Sequence, residues 1–168
     1  MSFDTSTGIF SGTPGNDEVG VYSNIEIGVS DGQYSASLGS FDLTVVNVND
    51  APTITGVPPV EVNEDTVYSF TPIGADIDVG DTLTYTIANP PSWTTFDSAT
   101  GEIAGEPGNA DVGEYQDIKI KVSDAGALSD QLGPFSITVL NVNDAPTIIG
   151  TPPAEIDQDK NYYCLLYT

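Results

Sequence analysis

The chain has 168 residues, with 25 acidic side chains against three lysines, no arginine and no histidine, and a formal charge of −22. That balance excludes nucleic-acid binding by phosphate neutralisation and a polybasic membrane contact, and it makes cations the natural partners. The single cysteine, Cys164, allows no intrachain disulfide, and no apolar run reaches the ~18 residues that span a membrane. Without imidazole or paired thiolates, any metal site has to be built from oxygen ligands. Met1 opens onto Ser2-Phe3-Asp4 without the basic and apolar regions of a signal peptide, so an export signal is expected outside this chain.

Taken in order, residues 1 to 52 read as the latter part of a β-sandwich domain. Phe3-Asp4-Thr5-Ser6-Thr7-Gly8 is matched by Phe96-Asp97-Ser98-Ala99-Thr100-Gly101, 93 residues on, and Gly12-Thr13-Pro14-Gly15-Asn16 by Gly105-Glu106-Pro107-Gly108-Asn109. Val19-Gly20-Val21-Tyr22 with Ile25, Ile27 and Val29 is mirrored by Val112-Gly113-Glu114-Tyr115 with Ile118, Ile120 and Val122. Such alternation marks half-buried strands. The stretch closes on Asn47-Val48-Asn49-Asp50-Ala51-Pro52, which recurs as Asn141-Val142-Asn143-Asp144-Ala145-Pro146, 94 residues from Asp50 to Asp144. A proline fixes its own φ and pushes the preceding residue out of the helical region, so each copy should be a short, extended linker.

The complete repeat spans 53 to 146, and the pattern predicts an all-β, seven-stranded Greek-key sandwich. Strands are expected near 53 to 56, 60 to 62, 67 to 71, 82 to 88, 101 to 104, 114 to 123 and 134 to 142. No apolar period of 3.6 persists, so helix should be close to nil. Trp93, the single tryptophan, is expected to fill the sandwich core, an exposed sugar platform being the sharper alternative. Residues 147 to 168 carry only opening strands of a next domain, near Thr147-Ile148-Ile149 and 161 to 167.

Oxygen-bearing side chains gather at the loops of this repeat. They are Glu61, Glu64 and Asp65; Asp76, Asp78 and Asp81; Asn109 and Asp111; and Asn143-Asp144 at the linker. Calcium takes six to eight hard oxygens and accepts them from several loops. In extended backbone, residues two apart face the same side, so Asp76 and Asp78 can serve one ion. The charge and the recurring hinge place a calcium ion at Asn49-Asp50, helped by Asp76 and Asp78.

Phe96-Asp-x-x-Thr-Gly-x-Ile103, Asp111-x-x-x-Tyr115, the Ile/Val strand ending in Asp124 and the Asn-x-Asn-Asp-x-Pro linker together resemble a cadherin repeat, and most of all the bacterial dystroglycan-type cadherin-like modules of large secreted adhesins. The resemblance covers nearly the whole chain. It implies a seven-stranded sandwich in tandem, an extracellular location, and calcium between successive domains. It also implies ligand roles for Glu64 and Asp65, for Asp111 and its first-copy counterpart Glu18, for Asn49-Asp50 and Asn143-Asp144 in the linkers, and for Asp76 and Asp78. The linkers begin on Asn47 or Asn141 where cadherins carry aspartate, and the loop reads Ala110-Asp111-Val112-Gly113 in place of Asp-Arg-Glu. One or two ions per junction are therefore expected, not three.

Nucleophilic catalysis has no candidate residues, since no base is available to activate a serine, and no enzyme is expected. The preferred reading is a structural subunit that assembles head to tail: 1 to 52 would expose the edges that its opening strands should cover, and 147 to 168 would supply such strands, with Asp157 and Asp159 completing the ligand set. A joint built this way would lack the counterpart of about residues 75 to 93. The alternative is a carbohydrate-binding module with a polysaccharide partner.

Overall fold

The computed structural model describes residues 1 to 151 and 154 to 161. Among these, the only helical turns are two 3-10 turns, Asn16–Glu18 and Asn109–Asp111; the regular structure is otherwise β. The first segment contains β1 (Ser2–Asp4), β2 (Ile9–Ser11), β3 (Gly20–Ile25), β4 (Gly28–Ser30), β5 (Ser35–Ser37) and β6 (Phe41–Val45). The second contains β7 (Thr53–Thr55), β8 (Glu61–Asn63), β9 (Tyr68–Phe70), β10 (Ile73–Ala75), β11 (Thr84–Ala88), β12 (Thr94–Phe96), β13 (Ile103–Gly105), β14 (Gly113–Ser123) and β15 (Ser129–Leu140).

In the second segment a four-stranded sheet, ordered β11-β14-β15-β8, faces a three-stranded one, β12-β13-β9, while β7 and β10 form a separate pair. The long hairpin β14-β15 is the spine. Its inward positions Ile118, Ile120, Val122 and Ile137 are fully buried, as is Ile103 from the facing sheet, and Tyr68 and Phe70 close the core. Each such aliphatic side chain contributes roughly 1.5–3 kcal/mol on burial. A β-bulge between Tyr115 and Ile118, with Asp117 at φ 58°, shifts the strand's phase. Three residues apart, these two side chains would point to opposite faces of a regular strand; the extra residue lets both turn inward. β8 joins the edge in parallel, Thr138–Leu140 beside Glu61–Asn63.

All seven predicted strands are present with shifted ends, and two more appear, β10 and β12. Both are three residues long. β10 follows Pro72 and pairs with β7 alone, and β12 is the polar Thr94-Thr95 step into Phe96, so neither shows the apolar alternation that marks a strand. The last predicted strand begins earlier, at Ser129, because the hairpin tip is shorter than its sequence suggests. The tail strand expected over 161 to 167 lies, beyond Asn161, outside the described residues.

The first segment repeats the second from β12 onward. β3 pairs with β6 as β14 does with β15, with a bulge at the matching place, Tyr22 to Ile25, and Asn24 at φ 59°. What differs is cover. Val29 is 71% exposed, whereas its counterpart Val122 is 0% exposed, because nothing equivalent to β7 to β11 lies over that face. Phe3 and Phe10 are likewise exposed where their counterparts Phe96 and Ile103 are half-buried and buried.

Candidate cation site at the 47–52 linker

The linker between β6 and β7 is held by its own donors. Asp50 N–H donates to Asp78 Oδ2 at 2.6 Å, and Asn49 Nδ2 donates to Asp124 Oδ2 at 2.8 Å. Asn49 lies against Gly126: a Cβ there would sit 2.7 Å from Asn49 Nδ2. Pro52 is fully buried behind these contacts.

The acids that receive the linker come from two turns. After β10, Asp76 Oδ1 accepts the N–H of Asp78 at 2.9 Å, and Asp81 N–H bonds to Asp78 O at 3.3 Å across Gly80, whose φ of 96° suits the glycine. After β14, Asp124 closes the 124–128 turn, with Oδ1 accepting Leu128 N–H at 2.8 Å. The two turns bring one carboxylate oxygen each from Asp76, Asp81 and Asp124 within 4.8 Å of one another. Two oxygens on one calcium, each at 2.3–2.6 Å, cannot lie more than about 5 Å apart, so this spacing fits a shared ion.

Asp78 and Asp124 are 5% and 6% exposed. Asp76 Oδ2, Asp78 Oδ1 and Asp81 Oδ2 are buried with no hydrogen-bond partner. Burial, and then the charges of Asp76, Asp78 and Asp124, push the Asp81 carboxyl above the usual carboxylate range. Buried carboxylates without donors are costly unless something positive joins them. A hard divalent cation would supply that charge and could take the open oxygens as ligands.

Of the residues singled out in the sequence, Asn49, Asp50, Asp76 and Asp78 meet here. In the sequence Asp81 reads as a loop acid and Asp124 as the end of a strand motif, and neither is among the ligands expected from it. For Asp124 the signal was available, since Ser123-Asp124 repeats Ser30-Asp31. Asp31 does something else: its Oδ1 accepts Tyr34 and Gln33 N–H groups, which hold its carboxyl below the ordinary value.

A second group gathers at the opposite pole. Glu64 is 2% exposed; Oε1 accepts the N–H of Val142, and Oε2 is buried without a partner. Asp65, at φ 56°, donates its N–H to Pro107 O at 2.7 Å. Asp111 Oδ2 accepts Gly108 N–H at 3.0 Å, Asp144 Oδ2 accepts Asn109 Nδ2 at 2.6 Å, and Asn143 Nδ2 turns back to Asp144 O. Glu18 repeats the Asp111 contact, accepting Gly15 N–H at 2.7 Å. Glu61 is exposed on β8. Asp157 and Asp159 are exposed in a turn closed by Lys160 N–H to Asp157 O.

Trp93 packs against the core. Its ring meets Tyr68 edge-on at 5.8 Å and Tyr115 at 6.1 Å, and its Nε1 is buried. The side chain is half-buried, and its indole N–H is not open to solvent.

A two-sheet all-β unit with acids gathered at its linker defines the Ig/cadherin-like class of module. Residues 1–46 and 51–140 both match the family described as putative Ig domain, and the chain belongs to that family. No curated protein matches it. Among solved structures it is similar to the extracellular cadherin domains 1–4 of protocadherin gamma B7, at 24% identity and a TM-score of 0.52, covering 86% of this chain and 38% of that one. It also matches an endo-fucoidan hydrolase of glycoside hydrolase family 107, at 26% identity, TM-score 0.42, 79% of this chain and 20% of that one. A third match is a Bacteroides fragilis protein described as a putative alpha-galactosidase, at 19% identity, TM-score 0.41, 57% and 19% coverage. The chain thus spans about a fifth of either hydrolase. The protocadherin likeness supports the fold. No helix among the described residues is long and apolar enough to cross a membrane.

Proposed function

We propose that this chain is a calcium-stabilised structural segment of an extracellular protein, made of cadherin-like domains at 53 to 146 and, in part, at 1 to 52 and 147 to 168. The observation that carries the reading is the meeting of Asp76, Asp81 and Asp124 within 4.8 Å, beside buried, partnerless oxygens of Asp76, Asp78 and Asp81. One ion held by these four acids, with Asn49 and Asp50 beside it, ties the linker to the second domain and stiffens the pair. Glu64, Asp111 and Asp144 lie on the upstream side of the next linker, where Asn109 and Gly108 already donate to Asp144 and Asp111. The test is thermal unfolding with calcium, magnesium, sodium chloride or chelator. Calcium at micromolar to millimolar concentration should raise Tm where matched ionic strength does not; an equal rise in sodium chloride reduces the effect to screening.

Head-to-tail self-association belongs to the same proposal. What supports it is the uncovered face of β1 to β6 together with Ile148, 66% exposed where its counterpart Ile54 on β7 is 6% exposed. A contact of this kind does not close on itself and extends into a filament. Sedimentation in calcium tests it, with and without residues 147 to 168. A chain that stays monomeric at high concentration, or assembles equally well after the deletion, rules this assembly out.

A further inference from the structure

Both linkers carry a matching contact on their upstream side. Each 3-10 turn begins on an asparagine whose amide reaches the linker aspartate: Asn16 Nδ2 donates to Asp50 Oδ2, and Asn109 Nδ2 to Asp144 Oδ2, each at 2.6 Å. The acid that ends each turn is also engaged by an N–H, Glu18 by Gly15 and Asp111 by Gly108. The downstream side of the first linker is the opposite case, with three buried oxygens that no donor reaches. At the first linker, therefore, the upstream acids named here are met by protein N–H groups, whereas the downstream acids keep three oxygens that none reaches.

We infer that Asn16 and Asn109 each take the place of a cation on the upstream side of their linker. The inference rests on the cation reading above and deepens it: the amide fixes the linker aspartate directly, and the ion is left to the downstream acids. The chemistry turns on one atom. An amide NH2 offers a carboxylate two donors with no counter-ion, whereas an aspartate at the same position would face Asp50 or Asp144 as a second anion, and the pair would come together only around a metal. The change from Asn to Asp therefore exchanges a hydrogen-bonded latch for a cation-dependent one. At the second linker the exchange has the most to work with, because Glu64 Oε2 is already buried there without a partner.

An asparagine can also ligate calcium through its carbonyl oxygen, so the two roles need separating. The experiment is calorimetric calcium titration of the full chain, of Asn109→Asp and of Asn16→Ala and Asn109→Ala, each also melted in chelator. Asn109→Asp should bind one more ion than the unaltered chain. The alanine variants should keep its ion count and its affinity within about threefold, while melting lower in chelator because the latch is gone. An unchanged count in Asn109→Asp overturns the inference. So does an alanine variant that loses an ion or weakens binding about tenfold or more. If the unaltered chain binds no calcium, the cation reading fails by itself, and the difference in count between Asn109→Asp and the unaltered chain still decides the latch.

Discussion

Replacing Asp78 by asparagine should separate the metal role of the linker acids from their structural one. Asp78 is 5% exposed, with Oδ2 accepting Asp50 N–H at 2.6 Å and Oδ1 buried without a partner. In chelator, asparagine keeps an acceptor for Asp50 N–H. Downgrading a charge-assisted bond to a neutral one costs about 1 kcal/mol, and removing an unpaired buried charge offsets much of it. For a unit the size of residues 51–140, about 1 kcal/mol corresponds to roughly 4–8 °C, so Tm in chelator should move by only about 5 °C in either direction. In calcium the outcome differs. An ion that binds only the folded form at ~100 times its dissociation constant adds about 2.7 kcal/mol, on the order of 10–20 °C, and the variant should lose most of that increment. Differential scanning fluorimetry of both proteins in both buffers gives the four numbers required. If Asp78→Asn lowers Tm equally in calcium and in chelator, the carboxylate is a structural acceptor and the argument for a cation there fails.

Tyr68 is 2% exposed, donates its hydroxyl to Pro59 O, and burial pushes its phenol up to about 12. A folded-state pKa above the unfolded value of about 10 means stability that is complete below pH 10 and lost as pH rises towards 12. Tyr68→Phe should cost about 1 kcal/mol at neutral pH and flatten the alkaline limb of a pH–denaturation series. Gly126→Ala places a methyl 2.7 Å from Asn49 Nδ2; it should displace the linker and weaken calcium binding while leaving the core amides protected in hydrogen exchange. Val122→Ala should cost about 2–3 kcal/mol in urea unfolding, whereas the counterpart change at Val29, 71% exposed, should cost less than about 0.5 kcal/mol. Equal costs would mean that the first segment's face is covered in solution.

Sequence by itself determined the β class, the repeat and the linkers, because those depend on local order. Alternation at Ile118, Ile120 and Val122 needs only a half-buried strand, and proline after Asn-Asp-Ala needs only its own ring. The oxygen chemistry was legible for the same reason, since a chain without histidine or paired cysteines has no other donor set. β10 and β12 were not legible, because three polar or proline-flanked residues become strands only when a partner such as β7 or β13 offers its edge. Which acids meet was likewise decided in three dimensions. Asp124 follows Asp76 by 48 residues, and only the pairing of β14 with β11 and the turn after β10 bring their carboxylates together. Asn16 and Asn109 look like ordinary turn residues in the sequence; their bonds to Asp50 and Asp144 exist because the strand pairs β3-β6 and β14-β15 return the chain to the level of the turn that precedes them. Distance along the chain is set by sequence, but distance through space between charged groups, which governs their energy, is set by how the strands pair.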